Sequence, residues 1–207
     1  MIEKIIEKKL IPVAVIEDAQ KAAGLADALL QADLKVIEVT LRTQAAIDSI
    51  ARIKKSAPEM LVGAGTVLDH KLIPRLVDSG VSFAITPGLN PLVIDSAQKH
   101  GLLIMPGVIT PSEIEQARNY ELQTLKFFPA EAAGGAAMLK ALAGPYGHTG
   151  LRFIPTGGIN SSNLPDYLAL DSVAAVGGSW FVSARLVNEG NFEEITRLTR
   201  EALSLIP

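Results

Sequence analysis

Eight short apolar stretches recur along this 207-residue chain, and a segment with helical features follows each of them. The repeat is about 20 to 30 residues, the length of a strand and its crossover helix. Strands that alternate with helices predict a parallel sheet. Eight such units with right-handed crossovers favour a single-domain (β/α)8 TIM barrel, with a doubly wound open sheet as the alternative. The predicted strands are residues 10–16, 34–40, 60–65, 81–86, 102–107, 122–128, 151–158 and 172–178.

The chain shows no composition break and no low-complexity segment, so we expect one domain over residues 1–207. Residues 1–9 predict a short extra helix that covers the bottom of the barrel. Asp18, Asp69 and Asp95 each lie near a predicted helix start, where an N-cap is the simplest interpretation.

The overall charge and the residue types that are missing exclude several classes of function. A net charge of −3 provides no basic field for nucleic acid or an anionic membrane surface. There is no cysteine, and no apolar run reaches membrane-spanning length. His70, His100 and His148 are scattered, without the spacing of metal ligands. We therefore expect a cytoplasmic protein with no metal and no membrane or nucleic-acid partner.

Polar side chains lie late in two of the predicted strands, where the chemistry of a barrel is found. Alternate residues of a strand share a face, so Glu38, Thr40 and Arg42 point the same way. One interpretation is an exposed Glu–Arg pair, which contributes little to stability. The other is a carboxylate base beside an arginine that binds an anion.

Lys126 lies among apolar residues in the sixth predicted strand, and shares a face with Phe128. Its stem could pack on apolar neighbours while the head reaches water or Glu38. Alternatively, its amine could attack a carbonyl, which requires the neutral form. Phenylalanine neighbours and Arg42 would favour the neutral amine, and Glu38 would favour the ammonium ion.

Glycine-rich turns follow the last two predicted strands, in PTGGI (155–159) and VGGSW (176–180). The loops after strands seven and eight are a frequent phosphate site in barrels, because glycine lets backbone N–H groups approach an anion. Ser179 would donate a further hydrogen bond, and Trp180 is expected to pack. Thr66 of GAGTV is expected to be a pocket hydroxyl or a helix cap.

Seven motifs, in order and one per strand end, resemble the bacterial 2-keto-3-deoxy-6-phosphogluconate aldolases, also known as 4-hydroxy-2-oxoglutarate aldolases. The motifs are EVTLRT, GAGTVL, TPGLNP, MPGVITP, LKFFPAE, IPTGGI and VGGSW. The resemblance covers nearly the whole chain. It implies a class I aldolase on a (β/α)8 barrel, without metal or cofactor, that assembles as a homotrimer. One small departure is Tyr146, where the family more often has phenylalanine.

The resemblance also implies a role for each matching residue. Lys126 would form the Schiff base, and Glu38 would be the general acid and base. Arg42 and Thr66 would bind the pyruvate carboxylate. Pro87 and Phe128 would shape the pocket wall.

The distal end of the pocket is implied in the same way, with glycines and a serine on the phosphate. The residues implied there are Thr156, Gly157, Gly158, Gly178 and Ser179. Glu131 follows Lys126 closely, but it lies beyond Pro129 and is expected outside the pocket.

The implied reaction cleaves 2-keto-3-deoxy-6-phosphogluconate to pyruvate and glyceraldehyde 3-phosphate. Cleavage of 4-hydroxy-2-oxoglutarate to pyruvate and glyoxylate is also expected. Three alternatives stay open: an aldolase specific for the phosphogalactonate epimer, a phosphate-binding barrel epimerase or isomerase without imine chemistry, and a binding or structural barrel with a buried Lys126–Glu38 pair.

Overall fold

The computed structural model describes residues 1–207 and contains nine strands. Eight were predicted, and the difference lies in residues 102–107, which form two short strands on either side of Pro106. Proline has no N–H group to continue the ladder, which accounts for the interruption. The strands are β1 (Leu10–Ala14), β2 (Val36–Thr40), β3 (Leu61–Gly65), β4 (Phe83–Ile85), β5 (Leu103–Met105), β6 (Gly107–Val108), β7 (Thr124–Phe127), β8 (Arg152–Pro155) and β9 (Val176–Gly178).

Helices connect these strands, as the sequence predicts. Short 3-10 helices cover Ala19–Lys21, His70–Leu72 and Gly144–Thr149. The α-helices are α1 (Ile2–Ile6), α2 (Ala22–Gln31), α3 (Ala46–Ser56), α4 (Ile73–Asp78), α5 (Pro91–Lys99), α6 (Pro111–Asn119), α7 (Gly135–Ala143), α8 (Leu164–Leu168), α9 (Ala184–Glu189) and α10 (Phe192–Ser204).

All paired strands are parallel and form two sheets. Six strands pair in the order β5-β4-β3-β2-β1-β9, and three in the order β6-β7-β8. The chain itself joins the sheets where β5 continues into β6. On the other side, isolated parallel bridges join Phe153 to Val173 and Thr156 to Gly177. The molecule is therefore an α/β fold with a curled parallel sheet.

The apolar side chains of the strands pack against the helices. In β2, Ile37 and Val39 belong to a core cluster of 44 buried residues, while Glu38 and Thr40 point to the other face. A second cluster of 17 buried residues lies around β7 and β8. The period-two prediction for β2 is confirmed, because its polar face is the one that lines a cavity.

Helix α1 lies at the amino-terminal ends of the strands. Ile5 and Ile6 are buried, and Glu3 pairs with Arg152, the first residue of β8, at 2.7 Å. The short helix predicted at the chain start is thus present and lies at the bottom of the sheet. No helix in the chain is long and apolar enough to cross a membrane.

The predicted helix caps are partly confirmed. Asp18 and Asp69 accept hydrogen bonds from backbone N–H groups at the starts of 3-10 turns. The prediction for Asp95 is wrong, because this residue lies inside α5, whose N-cap is Asn90. Pro91 occupies the first position of that helix, so α5 begins five residues earlier than an N-cap at Asp95 would place it.

Candidate active site

A cleft of about 720 Å³ opens among the carboxyl ends of the strands and the loops that follow them. Twenty residues line it, among them all eleven predicted site residues. They come from strand ends far apart in the sequence, and the parallel arrangement brings those ends to one edge. The eleven are Glu38, Arg42, Thr66, Pro87, Lys126, Phe128, Thr156, Gly157, Gly158, Gly178 and Ser179.

Lys126 and Glu38 form an ion pair in this cleft. The Lys126 Nζ lies 3.6 Å from the Glu38 Oε1, and the two residues are 6% and 1% exposed. They are the only buried residues of the chain with charged side chains. The separation exceeds that of a normal hydrogen bond, so the contact is electrostatic.

The surroundings of the Glu38 carboxyl group disfavour its charged form. Its Oε1 is buried and accepts no hydrogen bond from the protein. Burial raises the pKa of Glu38 above its ordinary value, and the positive charge of Lys126 only partly opposes this effect. A carboxyl group with a raised pKa holds its proton more tightly and, once ionised, is a stronger base, which suits it to proton exchange with a bound substrate.

Gly65 explains how the Glu38 side chain fits into the cleft. A Cβ atom at position 65 would lie 2.0 Å from the Glu38 Oε1, so no larger residue leaves room for the carboxyl group. The next residue, Thr66, has φ of +57°, a left-handed conformation that is unusual for a β-branched residue. Local strain of this kind, typically about 1–3 kcal/mol, is concentrated at functional sites.

Arg42 lies at the exposed rim of the cleft. It takes part in none of the chain's salt bridges. The interpretation of an exposed Glu38–Arg42 pair is therefore wrong, since Glu38 pairs with Lys126 instead. The guanidinium group is left with its donors available for an anionic ligand.

The Phe128 ring forms an apolar wall beside the amine. Its centroid lies 5.0 Å from the Lys126 Nζ, within the range of a cation–π contact. Thr40, on the same face of β2 as Glu38, donates its hydroxyl to the Ala14 carbonyl at 3.1 Å. We conclude that Thr40 holds β1 and β2 together at the edge of the cleft.

The distal end of the cleft presents unpaired backbone donors. The N–H groups of Gly157, Gly158 and Ser179 donate no hydrogen bond to another protein group. Gly157 and Gly158 have φ of +102° and +80°, a region that glycine adopts without strain. No basic side chain lines this end, because Arg42 and Lys126 are the only cations of the cleft. An anion there would be bound by backbone N–H groups and hydroxyls.

Several lining residues escaped the sequence analysis. Val13 and Val15 come from β1 and the residues after it, and as apolar residues of a strand they carry no functional signal. Trp180 was expected to pack, and its ring does contact Phe181 edge-on at 4.8 Å, but it also lines the cleft. Ser183 lines it too, as the N-cap of α9.

The chain matches known aldolases over nearly its whole length. The family model described as "Aldolase: KDPG and KHG aldolase" matches residues 1–198. The chain belongs to the KDPG and KHG aldolase family. KDPG is 2-keto-3-deoxy-6-phosphogluconate and KHG is 4-hydroxy-2-oxoglutarate. The resemblance noted in the sequence is thus confirmed.

Curated KDPG and KHG aldolases are close relatives. A 2-dehydro-3-deoxy-phosphogluconate aldolase of Haemophilus influenzae is 43% identical over 206 residues, covering 100% of this chain and 96% of the relative. A KHG/KDPG aldolase of Escherichia coli K12 is 44% identical over 194 residues, covering 94% of this chain and 90% of the relative. Membership of this family makes the protein an aldolase, and so a lyase.

Solved structures of KDPG aldolases superimpose closely on the chain. The Legionella pneumophila enzyme, with pyruvate captured as a covalent carbinolamine, gives a TM-score of 0.89 at 40% identity over 93% of each chain. The Zymomonas mobilis enzyme with 3-phosphoglycerate gives 0.89 at 36% identity, over 99% of this chain and 97% of the other.

Proposed function

We propose that this protein cleaves KDPG to pyruvate and glyceraldehyde 3-phosphate through a Schiff base on Lys126, and that it also cleaves KHG to pyruvate and glyoxylate. The single observation that carries the proposal is the buried pair. The only buried ammonium and carboxyl groups of the chain lie 3.6 Å apart in a cleft, beside an unpaired arginine and a row of free N–H groups. Relatives named for both substrates support it.

The reaction follows from amine chemistry at Lys126. The neutral Nζ adds to the keto carbon of the substrate, and the carbinolamine loses water to give a protonated imine. The C4 hydroxyl then gives up its proton and the C3–C4 bond breaks. Its electron pair enters the imine to form an enamine, and the aldehyde leaves. Protonation of the enamine at C3 and hydrolysis of the imine release pyruvate and the free lysine.

Glu38 is the acid and base of this sequence. Carbinolamine dehydration needs a proton donor, and loss of the C4 hydroxyl proton needs an acceptor within reach, directly or through one water. The carboxyl group lies beside the reacting nitrogen, and its raised pKa makes it a readier proton donor and, once ionised, a stronger base than an ordinary glutamate. No metal or cofactor is required, because the imine itself is the electron sink.

The remaining residues bind and orient the substrate. Arg42 and Thr66 hold the carboxylate next to the keto carbon, while Pro87 and Phe128 form the wall. The other end receives the phosphate. The residues proposed for it are Thr156, Gly157, Gly158, Gly178 and Ser179.

A phosphate-binding epimerase or isomerase would keep the glycine turns and have no use for Lys126. A structural ion pair is also disfavoured, because a buried pair contributes little net stability after desolvation.

The epimeric phosphogalactonate differs from KDPG in one hydroxyl, at C4. Rates of pyruvate release from KDPG, its C4 epimer and KHG test the substrate assignment. We expect the highest kcat/KM for KDPG, and a higher value for the epimer would overturn it.

Larger-scale features are proposed on the same basis. Isolated bridges join Phe153 to Val173 and Thr156 to Gly177, and β5 and β6 together take the place of one barrel strand. Both features support a closed (β/α)8 barrel that forms one domain over residues 1–207. We also propose a homotrimer in the cytoplasm, by likeness to the family. Light scattering on the purified protein should give three chains per particle.

A further inference from the structure

Glu131 lies behind the glycine turn that forms the distal end of the cleft. Its backbone N–H donates to the Gly157 carbonyl at 3.0 Å. A Cβ atom on Gly158 would lie 2.6 Å from the Glu131 Cβ, so the turn packs directly against this residue. Glu131 is exposed and does not line the cleft, as the sequence predicts.

The Glu131 side chain reaches the far end of the same turn. Its carboxylate accepts a hydrogen bond from the hydroxyl of Tyr167. Tyr167 belongs to α8, the helix that follows the turn, and its side chain is fully buried. Burial and then this hydrogen bond raise the pKa of Tyr167, so its hydroxyl stays a donor. Glu131 therefore connects both ends of segment 157–167.

The direction of the carboxylate matters because of the charge at this end of the cleft. The three free N–H groups and the nearby hydroxyls are the donors available to a bound anion, and no basic side chain assists them. The Glu131 Oε1 lies near Gly135 in α7, where a Cβ atom would be 3.3 Å away. The Tyr167 hydroxyl thus holds the negative charge toward α7 and α8, behind the turn. Without the Tyr167 hydroxyl, the Glu131 carboxylate would be free to rotate beside Gly158.

We propose that Glu131 and Tyr167 are positioning residues for the phosphate end of the substrate. They fix the conformation of the 157–158 turn, and they keep a carboxylate away from the bound phosphate. The inference rests on the proposed function, since it presumes that the phosphate of KDPG binds at this turn. If it holds, two residues outside the cleft help the enzyme to distinguish phosphorylated from unphosphorylated substrates.

Tyr167→Phe tests the proposal because it removes the hydroxyl and keeps the buried ring. Because the variant loses a hydrogen bond to a charged group, we expect the KM for KDPG to rise about five- to tenfold. The kcat for KDPG should not change. The KM for KHG, which has no phosphate, should stay within about twofold of the wild-type value. A rise of equal size for both substrates, or no rise for KDPG, would overturn the proposal.

Two further variants separate positioning from general damage. In Glu131→Gln the amide oxygen can still accept the Tyr167 hydroxyl, so the KM for KDPG should stay near the wild-type value, and a rise as large as that in Tyr167→Phe would contradict the proposal. Tyr146→Phe is the matched control. Tyr146 is another buried tyrosine whose hydroxyl contacts a glutamate, Glu115, and it lies outside the cleft. A KDPG-specific rise in KM in this control would contradict the assignment to Tyr167.

A binding measurement is independent of turnover. Trp180 is the chain's single tryptophan and lines the cleft, so its fluorescence reports ligand binding. Tyr167→Phe should weaken the binding of 3-phosphoglycerate about five- to tenfold and leave pyruvate binding unchanged. Failure of the wild type to form a pyruvate adduct on Lys126 would refute the proposed function. An intact adduct with unchanged 3-phosphoglycerate affinity in Tyr167→Phe would refute only the positioning role.

Discussion

At the scale of single residues, the behaviour of the cleft depends on one carboxyl group and one amine that are both removed from water. Glu38→Gln removes the proton exchange and keeps the shape of the side chain. We expect kcat to fall by about 10²- to 10⁴-fold, the usual contribution of a general acid or base. Pyruvate should still be trapped on Lys126 by borohydride to some extent. Full activity in this variant would refute the role of Glu38.

The raised pKa of Glu38 predicts how stability depends on pH. The folded state binds the Glu38 proton more tightly than the unfolded chain does. The stability that this provides is fully present below the unfolded pKa, and it is lost as pH rises through the folded pKa. Relative to Glu38→Gln, the wild-type free energy of unfolding should therefore decline over the range that begins at about pH 4, where the unfolded carboxyl group ionises, and ends at the raised folded pKa. Denaturant unfolding of both proteins across this range measures it, and a relative increase would contradict the sign.

Gly65 leaves the space into which the Glu38 carboxyl group fits. Gly65→Ala would place a Cβ atom 2.0 Å from the Oε1, so the carboxyl group must move. A displacement of about 1 Å can lower turnover about a hundredfold, and we expect a loss of that order in kcat. Gly144→Ala is the control, because no atom lies within 4 Å of its added Cβ. Steady-state kinetics of both variants decide the matter, and equal activities would exclude the steric role.

At the scale of helices and strands, much of the structure could be predicted from local sequence. The apolar stretches locate all of the strands, and the face of β2 that carries Glu38 follows from its alternation. The interruption at Pro106 was missed because the stretch 102–107 is apolar throughout. The N-cap of α5 was assigned to Asp95 because several residues near a predicted helix start have side chains that can cap a helix. Asn90 is the N-cap because α5 begins at Pro91, the residue that follows it.

The capping box of α6 offers a test of stability that is separate from activity. The Thr110 hydroxyl accepts from the Glu113 N–H, and the Glu113 side chain accepts from the Thr110 N–H. Thr110→Ala should lower the free energy of unfolding by about 1 kcal/mol with no change in kcat. Ser112→Ala, at an exposed position in the same turn, should leave stability nearly unchanged. Denaturant titration compares the two, and equal effects would show that the cap contributes nothing.

At the scale of the whole molecule, the cleft exists because parallel strands deliver their carboxyl ends to one edge. Polar and glycine-rich strand ends, together with the family motifs that contain Pro87 and Phe128, signalled eleven of its lining residues. Val13, Val15 and Ser183 gave no such signal, because apolar strand residues and helix caps look the same wherever they occur. The Glu131–Tyr167 contact joins residues 36 positions apart and depends on how α8 packs against the loop that precedes α7. Contacts of this kind require the three-dimensional structure.

The central claim is that Lys126 is the nucleophile, and covalent trapping tests it most directly. The protein would be incubated with pyruvate and borohydride, followed by intact-mass measurement and peptide mapping, with Lys126→Arg as the control. One reduced pyruvate adduct per chain on Lys126, absent from the control, is the predicted result. An adduct on another lysine, or none at any pH at which the protein is folded, would contradict the mechanism.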